Sequence, residues 1–365
     1  MQPKSVVTIK DVALAAECGV STVSRVLNNS GPVSPAVRAR VEKAAKELGF
    51  TFSGLGRALQ SRKTMTVGCL VPSLANPVFA EAVQGVQAAL GGSGYQLLIL
   101  CSNYNAEADD AGVAMLLAKG VDALIVTMVE PEHSPAIRRA RAMGVPVVLM
   151  FHDPRDGFLT SYVDNAAAAR EITRRFAGHG HRHIGFVALR FSTSDRSRNR
   201  YQACLEECRT LGLADPLLIE TSEAEAAQTD RLAALLREHS HLTAIFASND
   251  YLAIAIQKAA RSLGWHVPRD LSVAGFDGIE IGRLLEAPLA TIETDPDAMG
   301  RQAAKLLLEM LRGGTPVQPP ALPFRFRAGA TLAPPNPERS DDSRVAARPS
   351  SDLPAEPQAS TRNDP

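Results

Sequence analysis

The run from Thr8 to Asn28 limits the fold of this chain more than any other segment. Ile9, Val12, Ala13 and Ala16 recur at i, i+3, i+4 and i+7, the spacing of one apolar helix face. Thr8 precedes them as an N-cap, and Asp11 lies in the first turn, where the helix dipole favours an anion. Gly19 falls where a tight turn needs a residue without a Cβ. Val23, Val26 and Leu27 then give a second short helix whose apolar side returns against the first. Its other side carries Ser21, Thr22, Ser24 and Arg25, three short polar groups and one long cation. A third helix is predicted from Ser34, an N-cap followed by Pro35. It runs through Val37, Val41, Ala44, Ala45 and Leu48 to a stop at Gly49. A helix pair exposing such a face has the form that enters the major groove of DNA. A three-helix bundle with an ordinary solvated face would share the pattern.

Charge separates these two readings. Net charge is zero over the 365 residues, yet residues 1–65 hold ten Lys and Arg against four Asp and Glu. A basic end on an acidic body is the electrostatic footprint of a DNA-binding arm. No apolar leader precedes the helix pair, and no apolar run is long enough to span a bilayer. A cytoplasmic protein without a membrane partner is therefore expected. Cys18, Cys69, Cys101, Cys204 and Cys208 are scattered and lack the paired spacing of a zinc site, so free thiols are expected. His179, His181 and His183 alternate along an extended segment and point to opposite faces, which reads as a solvated turn. No metal and no cofactor are expected.

From Met65 the period changes. Val67–Val71, Leu97–Leu100, Ala123–Thr127 and Val147–Met150 are short, continuously apolar runs that read as buried parallel strands. Helices fall near Val78–Leu90, Ala106–Lys119 and Pro135–Met143. The series repeats with strands at Ile184–Ala188, Leu217–Glu220, Ala244–Ala247 and Ser272–Ala274. Its helices fall near Asn165–Ala177, Tyr201–Leu211, Thr229–Glu238 and Tyr251–Leu263. Ala290–Glu293, Met299–Leu311 and Phe324–Phe326 follow. The fold class is α/β: an all-α headpiece, then two doubly wound parallel sheets in tandem. From Ala333 onward Pro, Ser, Asp and Arg dominate, which predicts a disordered tail over 334–365.

The phrases Ile9-Lys10-Asp11-Val12-Ala13, Thr22-Val23-Ser24-Arg25-Val26-Leu27-Asn28, Val33-Ser34 and Glu47-Leu48-Gly49-Phe50 resemble the headpiece of the LacI/GalR family of bacterial transcription regulators. The resemblance continues to about residue 333. It implies a helix-turn-helix domain at 1–50, a hinge helix or linker at 51–64 and a core at 65–333 that resembles periplasmic sugar-binding proteins. One subdomain would comprise 65–162 and 291–318, the other 163–290 and 319–333, with a ligand in the cleft between them. The implied partners are a double-stranded DNA operator, a sugar or sugar-acid effector and, with no leucine heptad at the C-terminus, a second copy in a homodimer.

By the same resemblance Thr8, Val20, Ser21, Thr22, Ser24, Arg25 and Asn28 face DNA. Arg25 suits guanine O6/N7 and Val20 a thymine methyl. Leu59 matches a hinge leucine that wedges into the minor groove; a flexible linker is the alternative, since Gly54 and Gly56 each lower helix propensity by about 1 kcal/mol. Glu17, Cys18 and Gly19 stand where the family usually reads Gly-Val-Ser, so the usual serine cap is Gly19. In the core, Asn76, Phe79, Asp164, Asn249 and Asp277 match cleft positions. Asn and Asp supply the planar donors and acceptors that hydroxyls need, and Asp164 reads equally as a helix N-cap. The family's ligand arginine aligns best with Ser197, leaving Arg196 or Arg198 to substitute. Two arginines in the cleft would favour a carboxylate-bearing ligand, and Pro72–Glu81 resembles the gluconate-responsive branch. A transport binding protein is the alternative reading. An enzyme is not expected: no G-x-G-x-x-G follows a first strand, and no P-loop or nucleophile–base set is visible.

Overall fold

The computed structural model describes residues 7–27, 31–50, 63–226 and 228–337. The expectations for Asn28, for Leu59 and the rest of hinge 51–62, and for the tail past Pro337 lie outside the described residues.

The headpiece consists of α1 (Ile9–Ala15), α2 (Val20–Leu27) and α3 (Pro35–Glu47). Val12, Ala13, Ala16, Val23, Val26, Val41, Ala44 and Ala45 are buried together as its core. The Thr8 backbone N–H and hydroxyl both donate to the Asp11 carboxylate, at 2.8 and 2.7 Å, closing the start of α1. The turn after α1 differs from the expectation. Gly19 is not its left-handed residue; Glu17 is, with φ at +49°. Cys18 N–H returns to the Ala13 carbonyl and Glu17 N–H to Leu14, the two bonds of a Schellman closure. That closure fixes the left-handed site one residue beyond the Ala16 cap. The Gly19 carbonyl instead starts α2 by accepting from Thr22 and Val23 N–H.

Beyond the headpiece lie two sheets. The first contains β1 (Thr66–Val71), β2 (Gln96–Cys101), β3 (Ala123–Val126), β4 (Val147–Met150) and β5 (Leu159–Ser161), in the order β2-β1-β3-β4-β5, all parallel. Helices α4 (Pro77–Leu90), α5 (Ala106–Ala118) and α6 (Pro135–Ala142) connect the first four strands. The second sheet contains β6 (Ile184–Leu189), β7 (Leu217–Thr221), β8 (Ala244–Ala247), β9 (Ser272–Asp277), β10 (Ala290–Glu293) and β11 (Arg325–Arg327). Its order is β11-β10-β9-β8-β6-β7, with β11 alone antiparallel. Around it run α7 (Asn165–Gly178), α8 (Asp195–Thr210), α9 (Thr229–Glu238) and α10 (Asp250–Ser262). The last helix, α11 (Pro296–Leu311), returns to the first subdomain and packs on α4. There a Cβ on Gly300 would lie 1.9 Å from the Ala82 carbonyl oxygen, so the crossing requires glycine.

Three differences from the sequence reading bear on the site. β10 pairs with β9, so the chain leaves the second sheet after Glu293, not at Ala290. α8 starts at Asp195, six residues before Tyr201; Ser194 caps it by accepting from Ser197 N–H at 3.3 Å. The chain is also held through Pro337 where disorder was expected from residue 334. The Ala333 carbonyl accepts from His181 Nε2 at 2.9 Å and from Ser272 Oγ at 3.0 Å, and Asn336 donates to Asp270. His181 is therefore a buried bridge and not part of a solvated turn; its Nδ1 faces Thr243 Oγ1 at 2.9 Å. Burial lowers its pKa to about 4. Among the described residues no helix is long and apolar enough to cross a membrane, and no group of His, Cys, Asp and Glu is placed to hold a metal ion.

Candidate functional site

In the headpiece, α2 turns Val23 and Val26 inward and leaves Val20, Ser21 and Arg25 exposed, with Thr22 and Ser24 half-buried. Residues 20, 21, 24 and 25 share one helical face through their i, i+4 spacing. Thr8 is exposed at the head of α1.

The second site lies between the two subdomains, outside the carboxyl ends of the strands, where open α/β sheets bind ligands. A small cavity of about 30 Å³ lies there. The first subdomain contributes Asn76, Phe79, Tyr104 and Phe151. The Phe79 ring meets Phe151 edge-on at 5.0 Å and Tyr104 at 6.3 Å, which builds an apolar wall. Asn76 accepts from Val78 N–H and so also caps α4.

The second subdomain supplies the polar wall: Arg196, Ser197, Arg200, Ser248, Asn249 and Asp277. Asn249 caps α10 by accepting from Leu252 N–H at 2.8 Å. Arg200 is buried. It donates to Asn165 Oδ1 at 2.8 Å and to the Ser248 carbonyl at 2.5 Å, and its guanidinium stacks 3.4 Å above Phe276. Burial lowers its pKa to about 10. Asp277 Oδ1 lies 3.9 Å from Arg200. Burial raises the Asp277 carboxyl to about 6, opposed by Arg200 and Arg196. Behind it, Asp250 accepts from Gly278 N–H and Ile279 N–H at 2.8 Å each and from Thr291 Oγ1 at 2.6 Å. These bonds hold the turn that follows Asp277, whose own φ is +112°. Burial and the neighbouring Asp277 raise the Asp250 carboxyl to about 7. Gly275 makes room for it, because a Cβ there would sit 2.1 Å from Asp250 Oδ1.

At the edge of the cavity a buried cluster links the subdomains. Asp195 accepts from His152 Nδ1 at 2.8 Å and from Arg155 at 2.7 Å. Burial by itself raises the Asp195 carboxyl; His152, Arg196 and Arg155 outweigh it and hold the group far below the ordinary range.

The structure thus brings Asn76, Phe79, Arg196, Asn249 and Asp277 around one cavity and leaves two expected residues outside. Asp164 is exposed and caps α7, accepting from Ala167 N–H at 2.8 Å. Arg198 is exposed on the outer side of α8. Since α8 begins at Asp195, residues 196 and 200 lie one turn apart on the inner face, and 198 falls opposite. Arg200, not Arg198, joins Arg196. The sequence reading also passed over Tyr104, Phe151 and Ser248. Ser248 had a signal, lying directly after a strand; Tyr104 and Phe151 lie in loops without a pattern.

A three-helix DNA-reading unit ahead of a two-subdomain ligand cleft defines a DNA-binding regulator with a small-molecule core. Comparison with known proteins agrees. Residues 8–53 match the bacterial regulatory proteins of the lacI family, and residues 173–331 match the periplasmic binding protein-like domain. The HTH-type transcriptional regulator GntR of Escherichia coli K12 is 32% identical over 332 residues, spanning 89% of this chain and 97% of the relative. The HTH-type transcriptional repressor CytR of the same strain is 30% identical over 308 residues, 84% of this chain and 90% of the relative. A LacI-family regulator from Silicibacter pomeroyi superposes with a TM-score of 0.79 at 28% identity, covering 90% of this chain and 99% of its own. The lac repressor dimer bound to operator shares the fold, with a TM-score of 0.81 at 23% identity over 90% of this chain and 99% of its own. The chain belongs to the LacI family of bacterial transcription regulators. It is a DNA-binding regulator and not an enzyme.

Proposed function

We propose that this regulator acts in the cytoplasm as a homodimeric repressor whose operator affinity is set by a sugar or sugar-acid effector in the cleft. One observation carries the reading. An aromatic wall from one subdomain faces Arg196, Asn249 and Asp277 from the other across a single cavity. An apolar face suits the C–H side of a sugar ring, and the opposite wall suits its hydroxyls. Arg196 beside Arg200 favours a carboxylate on the ligand. A ligand touching both walls biases the angle between subdomains, which sets the spacing of two headpieces on their half-sites. The dimer reading is supported by Ile281 and Leu284, which stand 49% and 76% exposed on one short surface turn. The headpiece speaks against a transport binding protein.

Calorimetric titration of the full chain with neutral sugars and sugar acids tests the cleft. Selective binding of one sugar acid, lost in Asp277→Ala, is the expected result. Binding of none of them, or binding unchanged in Asp277→Ala, would overturn it.

A further inference from the structure

Besides the chain crossings, a buried side-chain cluster joins the two subdomains. Asp195 opens α8 in the second subdomain and is 1% exposed. His152 and Arg155 follow β4 in the first, and His152 is fully buried. The Met128 N–H points at His152 Nε2 from 3.2 Å. A backbone N–H only donates, so Nε2 is the acceptor, and Nδ1 carries the proton that it donates to Asp195 Oδ2. Arg155 donates to the same oxygen at 2.7 Å, and its other nitrogen pairs with Glu132. The second oxygen, Oδ1, receives the Arg196 backbone N–H at 2.9 Å and its guanidinium at 3.3 Å. One carboxylate therefore holds two groups of the opposite subdomain on one oxygen and a cleft arginine on the other. Close by, Asp153 of the first subdomain accepts from Asn165 and Asn199 of the second.

We propose that Asp195, His152 and Arg155 form a latch that keeps the subdomains closed in the absence of effector and so sets the basal operator affinity. Opening the cleft strips a buried carboxylate of both partners from the far side, which costs far more than parting a surface pair. Arg196 shares that carboxylate, so an effector that engages Arg196 alters the latch directly. This last link rests on the cleft reading above; the latch itself does not.

The test is operator binding by the full chain, followed by fluorescence anisotropy with no effector present. His152→Phe fills the space but loses both hydrogen bonds, and Asp195→Asn loses the charge. Each is expected to shift operator affinity by about tenfold, in the same direction. The double variant should shift it no further than Asp195→Asn alone, because that change already weakens the bonds from both His152 and Arg155. His152→Gln, which keeps an acceptor for Met128 and a donor for Asp195, should return within about twofold of the parent. That rescue separates a latch from mere packing, and Asp195→Asn against His152→Gln carries the comparison if His152→Phe does not fold. Variants all within about twofold of the parent, or additive shifts, would overturn the latch. No effector enters the assay, so a failed effector reading leaves this result intact.

Discussion

Glu17 shows how far a single residue can be read from sequence. The turn between the reading helices was legible, but its conformational demand was assigned to Gly19. In the structure a Cβ on Gly19 would make only an ordinary contact, 3.6 Å from Ser21 Oγ, while Glu17 takes the left-handed backbone. The Schellman bonds from Cys18 and Glu17 decide this, and they depend on where α1 ends, which a glycine signal does not reveal. Glu17→Gly is expected to stabilise the headpiece by about 1 kcal/mol. Urea unfolding followed through headpiece amide signals checks it, and an unchanged or lower midpoint would contradict the strain. Arg25, exposed on α2, is the residue we propose for base reading. Arg25→Ala should cost about 1–3 kcal/mol of discrimination between operator and random DNA, leaving weak, salt-dependent binding. Competition assays that find the preference intact would remove Arg25 from that role.

Among the elements, strands were the most legible, because parallel strands covered on both faces are written as continuous apolar runs. β4, β8 and β10 fall where those runs predict. β5 was missed since Leu159-Thr160-Ser161 is too short and polar to stand out. The start of α8 was missed because Asp195-Arg196-Ser197-Arg198-Asn199-Arg200 has no apolar period, although one face of it is buried against the cleft. That error in register exchanged Arg198 for Arg200 in the candidate site. Two elements give direct tests. At the α4–α11 crossing, Gly300→Ala would push a methyl into the Ala82 carbonyl and should destabilise the core by about 1–3 kcal/mol; a melting temperature equal to the parent's would contradict that packing. His181 joins the α7–β6 turn to the C-terminal segment as a neutral imidazole. Its folded pKa, about 4, lies below the ordinary 6.5. Its stabilising share is therefore complete above pH 6.5 and disappears as pH falls toward 4, a loss of about 3 kcal/mol. His181→Gln keeps a donor without titrating, so its melting temperature should fall less than the parent's over that interval. Equal declines would mean that His181 does not titrate as described.

At the scale of the whole molecule the sequence already separated a basic headpiece from an α/β body, and the structure supplies the cleft that joins function to the body. What the sequence could not show is how opposite subdomains meet, since Asp195 and His152 are 43 residues apart and neither lies in a motif. The function proposed above requires that events in the cleft reach the headpieces. Operator affinity of the full chain, measured with and without each member of a panel of sugars and sugar acids, tests this most directly. The account predicts that one ligand shifts operator affinity by about tenfold or more. It also predicts that Asp277→Ala binds the operator yet shows no shift. Operator affinity that no ligand changes, or a shift that survives in Asp277→Ala, would contradict it.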